Sequence, residues 1–216
     1  MKLSALKPRW FAWLLVPPLS LYLLLSISEV LYLRAAERAT SFPFPACQKI
    51  WAHRGYAPDG GENSLLSVES AFRRGAVGVE IDILFDSNLG EFVVSHDMPY
   101  TLFDGRPLKL ESLLSRYKNA GFFWLDAKNL RKLPPTAARQ ATQQLAHLIK
   151  QHGLQTHALV ESSNALYLSW LADQGIYTSY AISPNDRKYG LPLYKLHVGL
   201  IKLGYALVGT GAISMD

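Results

Sequence analysis

The 216-residue chain carries 22 Lys and Arg against 17 Asp and Glu, a net charge of +5, with 49% hydrophobic and 18% charged residues. That composition excludes a disordered or low-complexity chain. A single cysteine, Cys47, excludes an intramolecular disulfide and a multi-cysteine zinc or iron–sulfur site.

The first predicted element is an apolar helix. Residues 10–28 hold no formally charged residue. At about 1.5 Å per residue this run nearly spans a hydrocarbon core of about 30 Å. Lys2, Lys7 and Arg9 precede it, and Trp10, Trp13 and Tyr32 stand near its ends, where interfacial aromatics belong. Pro17-Pro18 should kink the helix without preventing a span. A cleaved signal peptide needs a shorter apolar region and a small-residue cleavage site, and here the small residues fall late, around Arg34-Ala35-Ala36. Cys47 lies too far beyond the run for lipidation. Residues 1–33 therefore read as a cytoplasmic stub and an uncleaved single-pass signal anchor, 34–46 as a linker and 47–216 as the folded domain. The basic residues before the span put the N-terminus in the cytoplasm and the domain on the periplasmic or extracytoplasmic side. Residues 1–46 carry +3 of the net charge and the remainder only +2. With no clustered basic stripe beyond the anchor, no nucleic-acid partner is expected.

Strand-like and helical segments then alternate. Strands are expected at 49–54, 78–86, 91–97, 122–128, 157–162, 177–183 and 212–216. Helices are expected at 63–75, 110–117, 135–152, 165–174 and 193–208, from apolar spacing and from Pro135 and Gly153 at the ends of the longest. Strands separated by helices imply parallel βαβ units. No glycine-rich phosphate loop follows the first strand, which disfavours a dinucleotide-binding sheet. The fold expected is α/β, a TIM-type (β/α)8 barrel preceded by one transmembrane helix. Seven strands are counted and the sequence stops at the seventh, so the barrel is expected to be incomplete at its C-terminus.

Several of these strands end in residues that packing does not require: His53-Arg54, Glu80 with Asp82, His96-Asp97, and Asp126 with Lys128. In a barrel the C-terminal strand ends face the active site. Residues two apart on a strand share a face, so Glu80 and Asp82 point together, as do Asp126 and Lys128. Converging carboxylates repel unless a cation lies between them, and all-oxygen ligands favour one hard divalent cation, Mg²⁺ or Ca²⁺. Two histidines beside such a site suit general acid and base roles. Arg54 and Lys128 suit a phosphate.

In order, Ala52-His53-Arg54-Gly55, Glu62-Asn63-Ser64, Glu80-Ile81-Asp82 and Val94-Ser95-His96-Asp97 resemble the glycerophosphodiester phosphodiesterase family. The resemblance covers about residues 49–183. His53 precedes Glu80 by 27 residues and His96 by 43, separations typical of the family. It implies a metal-dependent phosphoric diester hydrolase acting on small glycerophosphodiesters or lysophospholipid headgroups. His53 and His96 would be the acid/base pair, Glu80, Asp82 and Asp126 the metal ligands, and Arg54, Lys128 and Glu62 the phosphate and substrate contacts. Asp126 stands where the family usually has Glu, and the substrate-binding insertion that many members carry after the His-Asp element is missing or vestigial. A sphingomyelinase D-like transferase forming cyclic phosphates and a catalytically silent membrane-tethered module are the competing readings.

Glu161 ends the next strand at the expected mouth and is a further substrate-binding candidate, with Tyr180 as a pocket residue one strand on. His147, His152, His157 and His197 lack partners at ligand spacing and read as surface or helix-end residues.

Overall fold

The computed structural model describes residues 9–38, 50–183, 186–209 and 211–215. Cys47, Lys2, Lys7 and most of the expected linker lie outside these. The chain forms two compact units: two helices, α1 (Arg9–Arg38) and α6 (Asp186–Val208), and separately a sheet with its covering helices.

The sheet unit runs β1 (Trp51–His53), α2 (Leu65–Arg73), β2 (Gly78–Asp86), β3 (Glu91–Val94), the short hairpin β4 (Leu102–Phe103) and β5 (Arg106–Pro107), α3 (Leu110–Tyr117), β6 (Phe122–Ala127), α4 (Pro135–Gln151), β7 (Ala158–Ser162), α5 (Ala165–Ala172), β8 (Tyr177–Ile182) and β9 (Ala212–Met215). The parallel strands lie in the order β1-β2-β6-β7-β8-β9. Each new strand is added on the same side of the last, the singly wound order of a barrel wall. The sheet is curled into a partial TIM-type barrel, as expected.

The third expected strand differs. Residues 91–94 pair antiparallel with β2, so β3 is a hairpin return and not a barrel strand. The connection decides this. A parallel pair needs a crossover of a dozen or more residues, whereas only Ser87–Gly90 separates these strands. Asp86 Oδ1 accepts from the Asn88 and Leu89 amides, at 2.8 and 3.1 Å, and Gly90 turns the chain at φ 67°.

The two sheet faces divide by the two-residue period. Val79, Ile81, Ile83, Phe123, Leu125 and Val160 are fully buried in one apolar core with Leu110, Leu114, Leu145 and Leu168 from the helices. Tyr180 packs against this same core and so lies on the helix side of the sheet rather than in the pocket. Its neighbours Ser179 and Glu161 are register partners on the other face. On that face Trp51 meets Trp124 edge-on at 6.0 Å and Phe122 at 6.5 Å. Position 78 must be glycine beneath this cluster, because a Cβ there would lie 2.5 Å from the Trp51 ring.

In the helical unit, α1 continues through Pro17 and Pro18. Among the described residues it is the helix long and apolar enough to cross a membrane, over Val16–Glu37, with only 6% of that window buried. The expected helix at 193–208 is the main part of α6, which is broken at Gly190 (φ 67°, ψ 160°). Gly199 packs on Leu25 and Ser28 of α1, Lys202 pairs with Glu29, and the Tyr32 and Tyr205 rings lie 5.3 Å apart.

Candidate active site

Asp82 is the fixed point of the site. It is fully buried on β2, directly opposite Asp126 of β6 in the parallel pairing. Glu80 lies two residues earlier on the same face. One ligand oxygen from each of Glu80, Asp82 and Asp126 falls within 4.8 Å of the others. The sequence spacing placed Glu80 beside Asp82; the register of two parallel strands brings in Asp126 from 44 residues away.

The β1–α2 loop locks onto this group. Arg54 has φ 55° and Gly55 φ 78°. A left-handed conformation is strained for a non-glycine residue and persists only when the surroundings determine it. Here the Arg54 amide donates to Glu80 Oε2 at 3.0 Å. The Arg54 carbonyl accepts from the Asn63 amide and from Ser67 Oγ, both at 3.0 Å. Ser67 also closes a capping box with Ser64 at the start of α2. A Cβ at residue 55 would lie 2.5 Å from Ser67 Oγ, so only glycine fits. The His-Arg-Gly turn thus aims the Arg54 side chain into the site.

That guanidinium reaches Asp82, Nε to Oδ2 2.8 Å, and Glu62, Nη1 to Oε2 3.2 Å. The first is a close ion pair whose angle falls outside hydrogen-bond geometry. Lys128 Nζ lies 2.9 Å from Asp82 Oδ1 and also pairs with Asp126. Asn63 completes the shell: its Nδ2 donates to Asp82 Oδ2 at 2.8 Å, and its Oδ1 accepts from the Asp82 amide at 3.0 Å.

These contacts set the charges. Burial opposes ionisation of Asp82, but hydrogen bonds from Lys128 and Asn63 and the charges of Lys128 and Arg54 hold its carboxyl below the usual range. Glu80 goes the other way: burial, then the neighbouring Asp82 charge, push it up to about 8. Lys128 is held more firmly protonated than a free lysine despite its burial, chiefly by Asp126 and Asp82. Three carboxyl groups form an all-oxygen cluster, the donor set of a hard divalent cation, which would displace the Glu80 proton on binding.

His53, at the end of β1, places Nε2 3.8 Å from Glu80 Oε2 and is otherwise largely exposed to solvent. His96 follows β3, and its Nδ1 pairs with Asp97 Oδ2 at 2.6 Å. It is linked to the acidic cluster through the chain, since the Ser95 amide donates to the Asp82 carbonyl at 3.1 Å. His96 is therefore carried by the β2–β3 hairpin rather than by a barrel strand of its own. Glu161 is the register partner of Asp126 on β7. Its carboxylate accepts from Ser214 Oγ on β9, which in turn accepts from Ser179 Oγ at 3.1 Å. His157 stacks on Phe122 at 4.9 Å, at the opposite end of β6 from Asp126.

Asn63 is the residue that sequence reasoning passed over. It was visible as the middle of Glu62-Asn63-Ser64, but an asparagine before a helix cap reads as a turn former, and its bonds to Asp82 span 19 residues. Beside the loop, a cleft of about 610 Å³ runs between residues 56–66 and the β4–β5 hairpin, lined by Tyr56, Pro58, Leu65, Leu66, Phe103 and Leu108.

A parallel barrel wall with an acidic cluster at its carboxyl mouth is the architecture of a TIM-type barrel site. The solved structures narrow this to one fold group. The chain superposes on a protein from Galdieria sulphuraria assigned as a glycerophosphodiester phosphodiesterase, with a TM-score of 0.56 at 18% identity over 78% of this chain and 75% of that one. It superposes on a second, from Silicibacter pomeroyi and similarly assigned, with a TM-score of 0.56 at 13% identity over 80% and 91%. A glycerophosphodiester phosphodiesterase from Parabacteroides distasonis gives 0.51 at 20% identity over 78% and 92%. The chain has the fold of the glycerophosphodiester phosphodiesterases. No protein-family profile and no curated protein sequence matches it.

Proposed function

We propose that the chain is a metal-dependent phosphoric diester hydrolase of the glycerophosphodiester phosphodiesterase type, tethered to a membrane by α1. The observation that carries this reading is the convergence of Glu80, Asp82 and Asp126 within 4.8 Å, from the middle of β2 and the carboxyl end of β6. Two cationic side chains lie on the cluster and a histidine sits 3.8 Å from it. Glu80, Asp82 and Asp126 would hold one Mg²⁺ or Ca²⁺, which when bound supplies neutralisation of phosphate charge.

The chain's own residues do the rest. Arg54 and Lys128 bind the phosphate oxygens and orient the diester. Asn63 keeps Asp82 in place. His53 and His96 act as the acid/base pair, one taking the proton of the attacking water or hydroxyl at an imidazole nitrogen, the other donating a proton to the departing alkoxide oxygen. The apolar cleft beside the Arg54–Glu62 loop supports an alcohol with an apolar part, as in a lysophospholipid, over free glycerol alone. Glu62 and Glu161 lie at the rim as substrate contacts. With Lys2, Lys7 and Arg9 before the apolar run, the N-terminus lies in the cytoplasm and the barrel on the extracytoplasmic side.

The test is release of alcohol from glycerophosphocholine and lysophosphatidylcholine by the full chain in detergent, with and without EDTA. Cation-dependent release that is lost in His53→Ala supports hydrolysis. Phosphorus NMR showing a cyclic phosphate as the final product moves the reading to the transferase. No turnover on either substrate with Mg²⁺ or Ca²⁺ leaves the silent tethered module.

A further inference from the structure

We propose that α6, the connection between β8 and β9, is a second membrane-seated element, lying beside α1 with its exposed leucine stripe among acyl chains. The inference rests on the membrane reading of α1. Three observations carry it beyond that reading.

The first is the apolar outer face of the two-helix unit. Leu193, Leu200 and Leu207 are spaced by seven residues, which places them on one face of α6, and they are 59%, 52% and 72% exposed. On α1, Leu19, Tyr22, Leu23 and Ile27 are likewise exposed. The charges of the two helices neutralise each other: Lys202 of α6 pairs with Glu29 of α1, and Tyr32 packs on Tyr205.

The second is the demand that Glu29 makes. A carboxylate within a membrane span is costly and is found paired. Lys202 supplies the partner, with its ammonium also 5.4 Å from the Tyr32 ring. One turn earlier on each helix, Gly199 lets the α6 backbone approach Leu25 and Ser28. The pairings advance together along both chains, so the two helices run side by side in the same direction.

The third is topological. β8 and β9 are adjacent and hydrogen-bonded, with Ser179 opposite Ala212 and Ile182 opposite Met215. The strands that flank α6 therefore lie together on one side of the bilayer. The charge of α6 is sparse: from Gly190 to Val208 it carries Lys195 and Lys202 and no carboxylate.

The experiment uses the full chain carrying Cys47→Ser and one added cysteine, Leu200→Cys or Leu207→Cys on α6. Leu23→Cys on α1 and Leu89→Cys in the exposed β2–β3 turn serve as references. Each is labelled with a small fluorophore and reconstituted into phosphatidylcholine–phosphatidylglycerol vesicles. Quenching is read with nitroxide-bearing acyl chains and, separately, with aqueous iodide. The labels at 200 and 207 should lose about half their emission to the lipid nitroxide, as the label at 23 does, because a helix packed side by side with α1 shares its depth in the bilayer. The label at 89 should respond to iodide alone. Iodide quenching at 200 and 207 with lipid quenching at 23 overturns the proposal and leaves the α1 anchor standing. Shielding from both quenchers at 200 and 207 means that a protein surface, such as a second copy, covers the stripe, and also overturns it. Loss of lipid quenching at 23 as well removes the anchor reading itself.

Discussion

Asn63 and Asp82 hold each other by two reciprocal hydrogen bonds, 2.8 Å from the Asn63 amide to the carboxylate and 3.0 Å from the Asp82 backbone to the Asn63 carbonyl. Through this pair the loop after β1 and the middle of β2 become one rigid piece. Both residues are buried, so neither bond can be replaced by bulk water without rearrangement. Asn63→Ala should therefore lower stability by about 1–3 kcal/mol, the cost of stranding buried polar groups. Its turnover should fall more steeply than its unfolding free energy suggests, because Asp82 loses its orientation. Denaturant melts and steady-state kinetics on the same preparation check this; unchanged kcat/KM in a folded variant would remove Asn63 from the site.

The acidic cluster predicts a specific pattern of metal loss. Asp82→Asn and Asp126→Asn should each weaken Mn²⁺ or Ca²⁺ binding, read by calorimetry, by about tenfold or more. Glu62→Gln, outside the cluster, should leave binding within about twofold while raising KM. Equal loss in all three would mean that the ion is held by long-range charge rather than by the cluster.

The metal-free protein should lose stability as the pH rises from about 5 to about 8. Glu80 is raised from its ordinary value to about 8 in the fold by burial and by Asp82. Between those limits the folded chain keeps a proton that the unfolded chain has released, so unfolding stability falls with pH, with a slope of at most about 1.4 kcal/mol per pH unit. Asp82 is shifted downward and contributes in the opposite sense only at acid pH, where its stabilisation is lost as the pH falls. Thermal melts in EDTA across this range should slope downward, and Glu80→Gln should flatten them. A flat wild-type profile would show that Glu80 is ionised in the fold.

His53 and His96 differ in their supports. One faces Glu80 across 3.8 Å; the other is paired with Asp97 at 2.6 Å. Ala at either position should lower kcat by about 10²–10⁴-fold, the usual contribution of a general acid or base, while leaving divalent cation affinity nearly unchanged. Asp97→Asn should lower kcat less than His96→Ala and displace one limb of the pH–rate profile. An unmoved profile would reduce Asp97 to a surface partner.

Gly78→Ala tests the aromatic floor of the sheet. The added methyl meets the Trp51 ring at 2.5 Å, and the ring is already packed on Phe122 and Trp124. Overpacking of this kind costs about 1–3 kcal/mol. Trp51→Phe in the same chain should recover part of the loss, which a double-mutant cycle would measure.

Much of this was legible from the sequence because it depends on short periods. A spacing of two residues on a strand puts Glu80 and Asp82 on one face wherever the strand lies. Alternating strand and helix patterns require parallel units, and a nineteen-residue uncharged run requires an apolar surrounding. Tertiary structure decided what no local period encodes. Parallel register set Asp126 opposite Asp82, and a four-residue turn made β3 an antiparallel return that carries His96. The β-strand face turned Tyr180 away from the pocket. The left-handed turn at Arg54 is held only by Glu80, Asn63 and Ser67 from distant positions. The pairing of α6 with α1 belongs here too: an apolar stripe states that a helix needs a partner, and only long-range packing decides which surface that is.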